Sequence, residues 1–371
     1  MDIFAINALT TQVLWAAFVL SVLFGIIAQR THFCTMGAVS DIVHSGDWTR
    51  MRMWGLAIGV AMIGFYGMAA VGMIDPAKTL YASGRFIWLS ACVGGLLFGF
   101  GMVLASGCGS KTLIRIGGGN LKSVVVFVVM GVAAFATIKG ITAVLRVATI
   151  DRVALDFSSN AALPNWLAGA TGLTAAAAGM ILAVIIGGAF IAWSFAGRDF
   201  MRFDNLLAGF GIGAVITLMW WVSGHLGYVV EHPDTLQEAF LATNSGRSEA
   251  MSFVSPFAYA IDWLMFFSDK SKVLTVGIVS VCGVVVGSAI TSLTTQSFRW
   301  EGFKDAEDTA NHLIGAVLMG VGGVCAMGCT VGQGLSGIST LSATSFVAVA
   351  AILMGCVAAL KFKVWQIGRS I

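Results

Sequence analysis

The sequence predicts an all-α polytopic membrane protein, and three observations carry that class. Of 371 residues, 58% are hydrophobic and 11% are charged, against about 25% charged in soluble domains. The mean hydropathy is +0.90, an apolar surplus too large to bury in a water-soluble core of this size. The apolar residues also fall in long unbroken runs and not in the short alternating segments of a β-barrel. The 46 glycines suit close helix packing and non-helical backbone inside a bundle.

Runs long enough to span fall at about 12–29, 53–74, 86–107, 123–145, 173–196, 205–224, 273–298, 310–328 and 343–360, so about nine transmembrane helices are expected. The first run has no basic region before it and no small-residue cleavage site after it, and reads as a retained span. It ends in Gln29-Arg30-Thr31-His32-Phe33-Cys34, followed by a short run from Ala38 to His44. The third run stops at Gly107-Cys108-Gly109-Ser110-Lys111. The fourth carries Lys139, which can snorkel to the outer interface. The sixth ends near Trp221, Ser223, Gly224 and His225, where no cysteine stands. A weaker stretch near 253–267 carries Pro256 and Asp262 and reads as interfacial or as a short half-helix. The eighth run opens beside Asn311 and His312, read as capping or interfacial, and stops at Met327-Gly328-Cys329-Thr330. Trp48, Trp54, Trp166, Trp220, Trp221 and Trp300 read as interface anchors.

Lysine and arginine set the orientation. With the N-terminus outside, 13 of them fall in inside connections and 7 in outside ones. The expected topology is therefore N-outside, C-inside. Residues 1–148 then form a first half, 149–200 a connector holding the fifth span, and 201–371 a second half that starts from the opposite side. The two Gly-Cys stretches end the third span of each half. Inverted halves of this kind meet near the membrane midplane in many transporters.

Net charge is +3, with no Lys/Arg block resembling a nucleic-acid footprint. The seven cysteines include no CxxC pair, which argues against a zinc or dithiol redox motif. Cys34, Cys108 and Cys329 are each followed by small residues and then a short helical segment. Such a segment aims free N–H groups and a positive dipole end at whatever lies beside the sulfur, and a thiol is soft and polarizable. The matching ligand is a small anion with soft or sulfur-containing character. Ser106, Ser110, Lys111, Thr330, Gln333 and Ser336 can donate to its oxygens, with Gly107, Gly109 and Gly328 allowing close approach. Lys111 or Arg30 can attract it from the cytoplasmic mouth. Cys92, Cys282 and Cys356 lie mid-span without a glycine cluster and read as packing, and Cys325 stays open between the two roles.

Three functions compete. A transport pathway for a small sulfur anion uses the thiols directly and needs no cofactor; no nucleotide-binding motif is present for ATP-driven transport. A membrane thiol–disulfide oxidoreductase would need a cysteine pair able to close a bond. A permease for soft metals or selenium species would use Cys together with Met36, Met102 and Met327. No metal site and no enzymatic activity are expected.

The segments Arg30-Thr31-His32-Phe33-Cys34, Gly101–Asn120 and Gly320–Ser339 resemble the YeeE/YedE family of bacterial inner-membrane proteins, the sulphur-transport family. The resemblance implies an hourglass-like helical fold with inverted repeats and uptake of thiosulfate. It also implies a relay of three cysteines, here Cys34, Cys108 and Cys329, passing the ion by S–H···S contacts without disulfides. A cytoplasmic TusA-type sulfur-carrier protein is the implied partner, as a separate chain. The motif departs from the family's Gly-Gly-Cys: the first copy has Ser106 before Gly107, the second Met327 before Gly328.

Overall fold

A computed structural model of the chain describes residues 3–157 and 161–369. All nine expected runs are helices. The first half of the chain forms α1 (Ile3–Arg30), α2 (Thr35–Ser45), α3 (Thr49–Ala70), α4 (Trp88–Leu104), α5 (Gly109–Gly117), α6 (Leu121–Lys139) and the short α7 (Ile141–Ala148). After α8 (Leu163–Thr171), α9 (Ala175–Leu182) runs through a π turn into α10 (Gly188–Phe195). A second interrupted helix joins α11 (Phe203–Leu206) to α12 (Ile212–Trp221) and ends in a π turn at Val222–Leu226. There follow α13 (Val254–Met265), α14 (Val276–Thr294), α15 (Ala306–Cys325), a helical segment at 330–339 built around a π turn, and α16 (Ala343–Arg369). Two two-stranded ribbons, Arg85–Phe86 with Leu155–Asp156 and Tyr228–Val229 with Ala239–Phe240, tie the connecting loops.

Among the described residues, eight helices are long and apolar enough to cross a membrane. The expected span outside these eight is the eighth run, α15, whose first turn holds Glu307 and Asp308 and whose second holds His312. Those polar residues lower its hydropathy at one end. Lys122 lies against that end, paired with Asp308 at 3.0 Å and Glu301 at 3.3 Å, and His312 Nδ1 meets the Asp308 carbonyl at 2.7 Å. The charges are neutralised locally, as buried charge requires. The stretch near 253–267 is α13, 12 residues long, too short for the roughly 20 needed to span.

Helix packing is reciprocal. α1 lies along α14, and α12 along α3. α4 packs on α16 and α15 on α6, while α4 and α15 face each other directly. Backbone contact makes several of these pairs intimate. A Cβ on Gly287 of α14 would stand 2.0 Å from the Val22 carbonyl oxygen of α1, and one on Gly99 of α4 would stand 2.1 Å from the Ile352 oxygen of α16. Small residues give such approach, and its van der Waals contact, in a setting without a hydrophobic driving force between helices.

Candidate functional site

Three helices stop in the same way just before the three cysteines. In each, the residue two before the cysteine is a non-glycine in the left-handed region: His32 at φ 51°, Ser106 at 56° and Met327 at 58°. The next residue then donates its N–H five residues back, Phe33 to Ala28 (3.1 Å), Gly107 to Met102 (2.8 Å) and Gly328 to Gly323 (2.8 Å). This is the Schellman closure of a helix C-terminus. The cysteine comes next in extended conformation, as measured for Cys34 and Cys108, and a new short helix begins directly after it. Each sulfur then faces the amide three residues on. Gly37 N–H donates to Cys34 Sγ and Gly332 N–H to Cys329 Sγ, both at 3.4 Å, and the Lys111 N–H approaches Cys108 Sγ. Helix N-termini leave such amides free; the Cys34 and Cys329 thiols cap theirs, and Cys108 is the N-cap residue of α5 without a closed side-chain bond.

The three breaks converge. The Cys34 and Cys108 side chains interact directly, and Cys329 lies within electrostatic reach of Cys108. Ser110 Oγ is 3.3 Å from Cys108 Sγ. The Phe253 and Val331 amides also approach Cys329 Sγ. Thr330 Oγ1 borders Cys108 but closes no bond of standard geometry. Cys34, Cys108 and Cys329 are buried, at 5%, 0% and 0% exposure. Gly107, Gly109 and Gly328 are buried around them. At Gly37 the end of the Arg50 side chain comes close to the backbone beside Cys34.

The charge around the thiols is one-sided. Lys111 lies within electrostatic reach of Cys34 and Cys108, and of Arg115 and Arg50. His32 faces Lys111 and Arg50. Arg50 is held by Asp41 at 3.1 Å. On the other side of Cys329 lies Tyr81, whose hydroxyl donates to Gly332 O at 2.6 Å and whose ring stands edge-on to Trp220.

A cavity of about 290 Å³ adjoins the cluster, lined by Thr35, Trp54, Thr330 and Gly334 and walled by apolar residues of α3, α10 and α16. That volume holds several waters or one small anion.

Some expectations meet a different arrangement. Gln333 turns its Nε2 to the Ala326 carbonyl, and Ser336 donates to Met251 O at 2.7 Å. Both donors serve the fold and are spent before any ligand arrives. Trp54 and Trp220 are 5% and 0% exposed and so are interior residues; Trp220 Nε1 donates to Ser339 Oγ at 3.1 Å. Arg30 pairs with Asp204 at 3.1 Å on an exposed face. Cys325 packs in the α4–α15 seam, where a Cβ on Gly94 would come within 2.7 Å of its own. Cys356 lies against Gly99 in the α4–α16 seam. Lys139 is exposed at the last position of α6. Thr35 and Trp54 were not singled out as site residues. A threonine directly after Cys34 offered a signal; nothing along the chain places residue 54 beside residue 330.

Three broken helices, each followed by a buried cysteine, are the setting in which the chain's relatives become informative. The family model described as sulphur transport matches residues 30–358. The chain belongs to the sulphur-transport family. The thiosulfate transporter TsuA of Spirochaeta thermophila is 26% identical over 346 residues, covering 92% of this chain and 96% of that protein. The TsuA of Escherichia coli is 25% identical over 338 residues, 90% of each chain. A shorter likeness, 30% over 110 residues, links 30% of this chain to 26% of the probable transporter YedE of E. coli. The chain is thus a multi-pass membrane protein of this family, and its apolar helices account for the bilayer as its solvent.

Proposed function

We propose that the chain carries thiosulfate, or a closely similar small sulfur anion, through the membrane along its buried cysteines. The observation that carries this reading is the convergence of Cys34, Cys108 and Cys329, each at the N-terminus of a short helix that interrupts a span. Free amides and a positive dipole end stabilise an anion, and the thiols meet its soft sulfur. The relay runs through Cys108, which lies near both Cys34 and Cys329. Gly107, Gly109, Ser110, Lys111, Gly328 and Thr330 surround it. The two TsuA relatives, matched over nearly their full length, support the same substrate.

The chain acts as a transporter without chemistry on its cargo. The two relatives named as thiosulfate transporters, matched over 90% or more of this chain, support that reading. Two inverted halves, 1–148 and 201–371 joined through 149–200, fit the reciprocal packing of α1 on α14 with α12 on α3, and of α4 on α16 with α15 on α6. In that correspondence α13 answers to α2, and Phe253 stands where Cys34 does. The N-terminus faces outward and the C-terminus the cytoplasm of a bacterial inner membrane. The cations Arg50, Lys111 and Arg115 then draw the anion toward the cytoplasmic side, where a TusA-like carrier receives its sulfur.

A dianion moving against an inside-negative potential costs about 4.6 kcal/mol per 100 mV. Uptake is therefore driven by consumption of the ion inside or by a co-moving cation. The test is uptake of labelled thiosulfate by cells lacking other sulfur importers. The wild-type chain restores it and Cys108→Ala reduces it at least about a hundredfold, with the protein still present in the membrane. Undiminished uptake by Cys108→Ala would refute the relay.

A further inference from the structure

The cavity of about 290 Å³ beside the cysteine helices is open on one flank. Its walls are α3 between Met51 and Ile58, α10 at Phe190 and Trp193, and α16 between Phe346 and Leu353. α10 packs along α3, but among the described residues α10 and α16 make no substantial contact with each other. The opening lies between those two helices. On its lips Trp193 and Ala350 are exposed, and Phe346 and Leu353 are half-buried. In a chain that spans a membrane, that flank faces lipid tails.

The lining decides what enters. It is almost wholly apolar, and no ionised side chain belongs to it. Thr35 Oγ1, Trp54 Nε1 and Thr330 Oγ1 are shut off from the space. A buried water needs two to four polar partners, and an ion needs more, so neither is held there. The walls on α3 and α16 each run seven residues, about 10 Å along the helix. A narrow apolar slot of that length fits the end of a hydrocarbon chain, and left empty it would forfeit the dispersion contacts of its whole lining.

A cation stands at one end of the slot. Trp193 lines the cavity and also carries the Arg52 guanidinium over its ring, Cζ at 5.8 Å from the centroid. Trp48 stands edge-on to Trp193 at 6.0 Å and is 46% exposed; tryptophans of this kind mark the headgroup level of a bilayer. Arg50, two residues before, is held by Asp41, whereas Arg52 closes no ion pair among the described residues. Asp47, the acid within its electrostatic reach, is engaged by the Thr49 amide and hydroxyl at 2.9 and 2.7 Å.

We propose that this flank is a binding site for an anionic phospholipid, with one acyl chain between α10 and α16 in the cavity and the phosphate at Arg52. The chain itself gives no selectivity, because surrounding tails are just as apolar as the slot. The head gives it: a guanidinium near the surface favours anionic headgroups, and its planar fork matches phosphate oxygens. The inner end of the slot reaches Thr35 and Thr330, which directly follow Cys34 and Cys329. The bound chain therefore packs behind the starts of two of the three short helices and closes the side of the molecule next to them.

The test uses the purified full-length protein in phosphatidylethanolamine vesicles containing a small fraction of phosphatidylglycerol with a photoreactive diazirine midway along one chain. Labelled residues are mapped by mass spectrometry. Labelling is expected to concentrate on 51–58 of α3 and 346–353 of α16, about fivefold or more above lipid-facing Ile185 and Ile290, and to be competed by unlabelled phosphatidylglycerol. Arg52→Gln lowers it about fivefold and leaves labelling by a phosphatidylethanolamine probe unchanged. Ala350→Trp, a change at an exposed position, fills the opening and removes labelling at 51–58 while Ile290 is labelled as before. Even labelling along all lipid-facing helices, meaning ordinary bilayer contact only, overturns the site. Concentrated labelling that survives Ala350→Trp overturns the placement of the chain, and concentrated labelling that Arg52→Gln leaves intact overturns the placement of the head.

Discussion

Glu249 lies in the loop that leads into α13, a few residues before the Phe253 amide that reaches Cys329. Its own N–H donates to Ser223 Oγ at 2.8 Å, and its carboxylate accepts from Ser245 Oγ at 3.1 Å. No cation pairs with it among the described residues. Burial pushes its carboxyl up to about 7 from an ordinary value of 4.5, against the opposing donation from Ser245 and the Asn244 amide. A folded state that binds the proton more tightly than the unfolded state loses stability as pH rises. Here the loss runs from about 4.5 to about 7 and is complete above that window. Glu249→Gln should therefore raise the melting temperature at pH 8 and leave it close to wild type at pH 4.5, as differential scanning fluorimetry in detergent can check. At this scale the thiols were legible in the sequence, because a cysteine flanked by glycines at the end of an apolar run has few packing reasons to be there. The meeting of Trp54 with Thr330 at one cavity was not, because nothing along the chain places residue 54 beside residue 330.

Helix breaks organise the next scale. Glycine is the usual residue in the left-handed position that closes a helix, and the motif departs from it at Ser106 and Met327. The structure places both in that very conformation, at φ 56° and 58°. A non-glycine residue there costs about 1–2 kcal/mol, of which glycine's looser unfolded chain returns about 0.4–1. Ser106→Gly is expected to stabilise the protein by about 0.5–1 kcal/mol with uptake unchanged, read from chemical denaturation and from vesicle transport. The runs themselves were legible from length and hydropathy. The shortness of α13 was foreshadowed by Pro256 and Asp262. The polar opening of α15 was the element hardest to read, since Glu307, Asp308 and His312 look like loop until Lys122 is found against them.

Over the whole molecule, packing joins the two ends of the chain, and a sequence says little about which helix meets which. Pattern fixed the class and the order of helices; it did not pair α1 with α14. The pairing depends on Gly287, where a Cβ would come 2.0 Å from the Val22 oxygen. Gly287→Ala is predicted to destabilise by about 1–3 kcal/mol and to lower the amount of protein in the membrane, measured by quantitative immunoblot. The arrangement of lysines and arginines belongs to this scale as well. Green fluorescent protein fused after Ile371 is predicted to fluoresce, as it does only on the cytoplasmic side.

The interlocked partnership of early and late helices bears on how such a chain is made. A ribosome that has released α6 into the bilayer has delivered half of every seam, and α1, α3, α4 and α6 must wait with bare faces for mates still unsynthesised. The same logic allows the wait to be made permanent: two genes, cut within the loop after α8, should yield fragments that find each other in the lipid and rebuild the conduit from separate pieces.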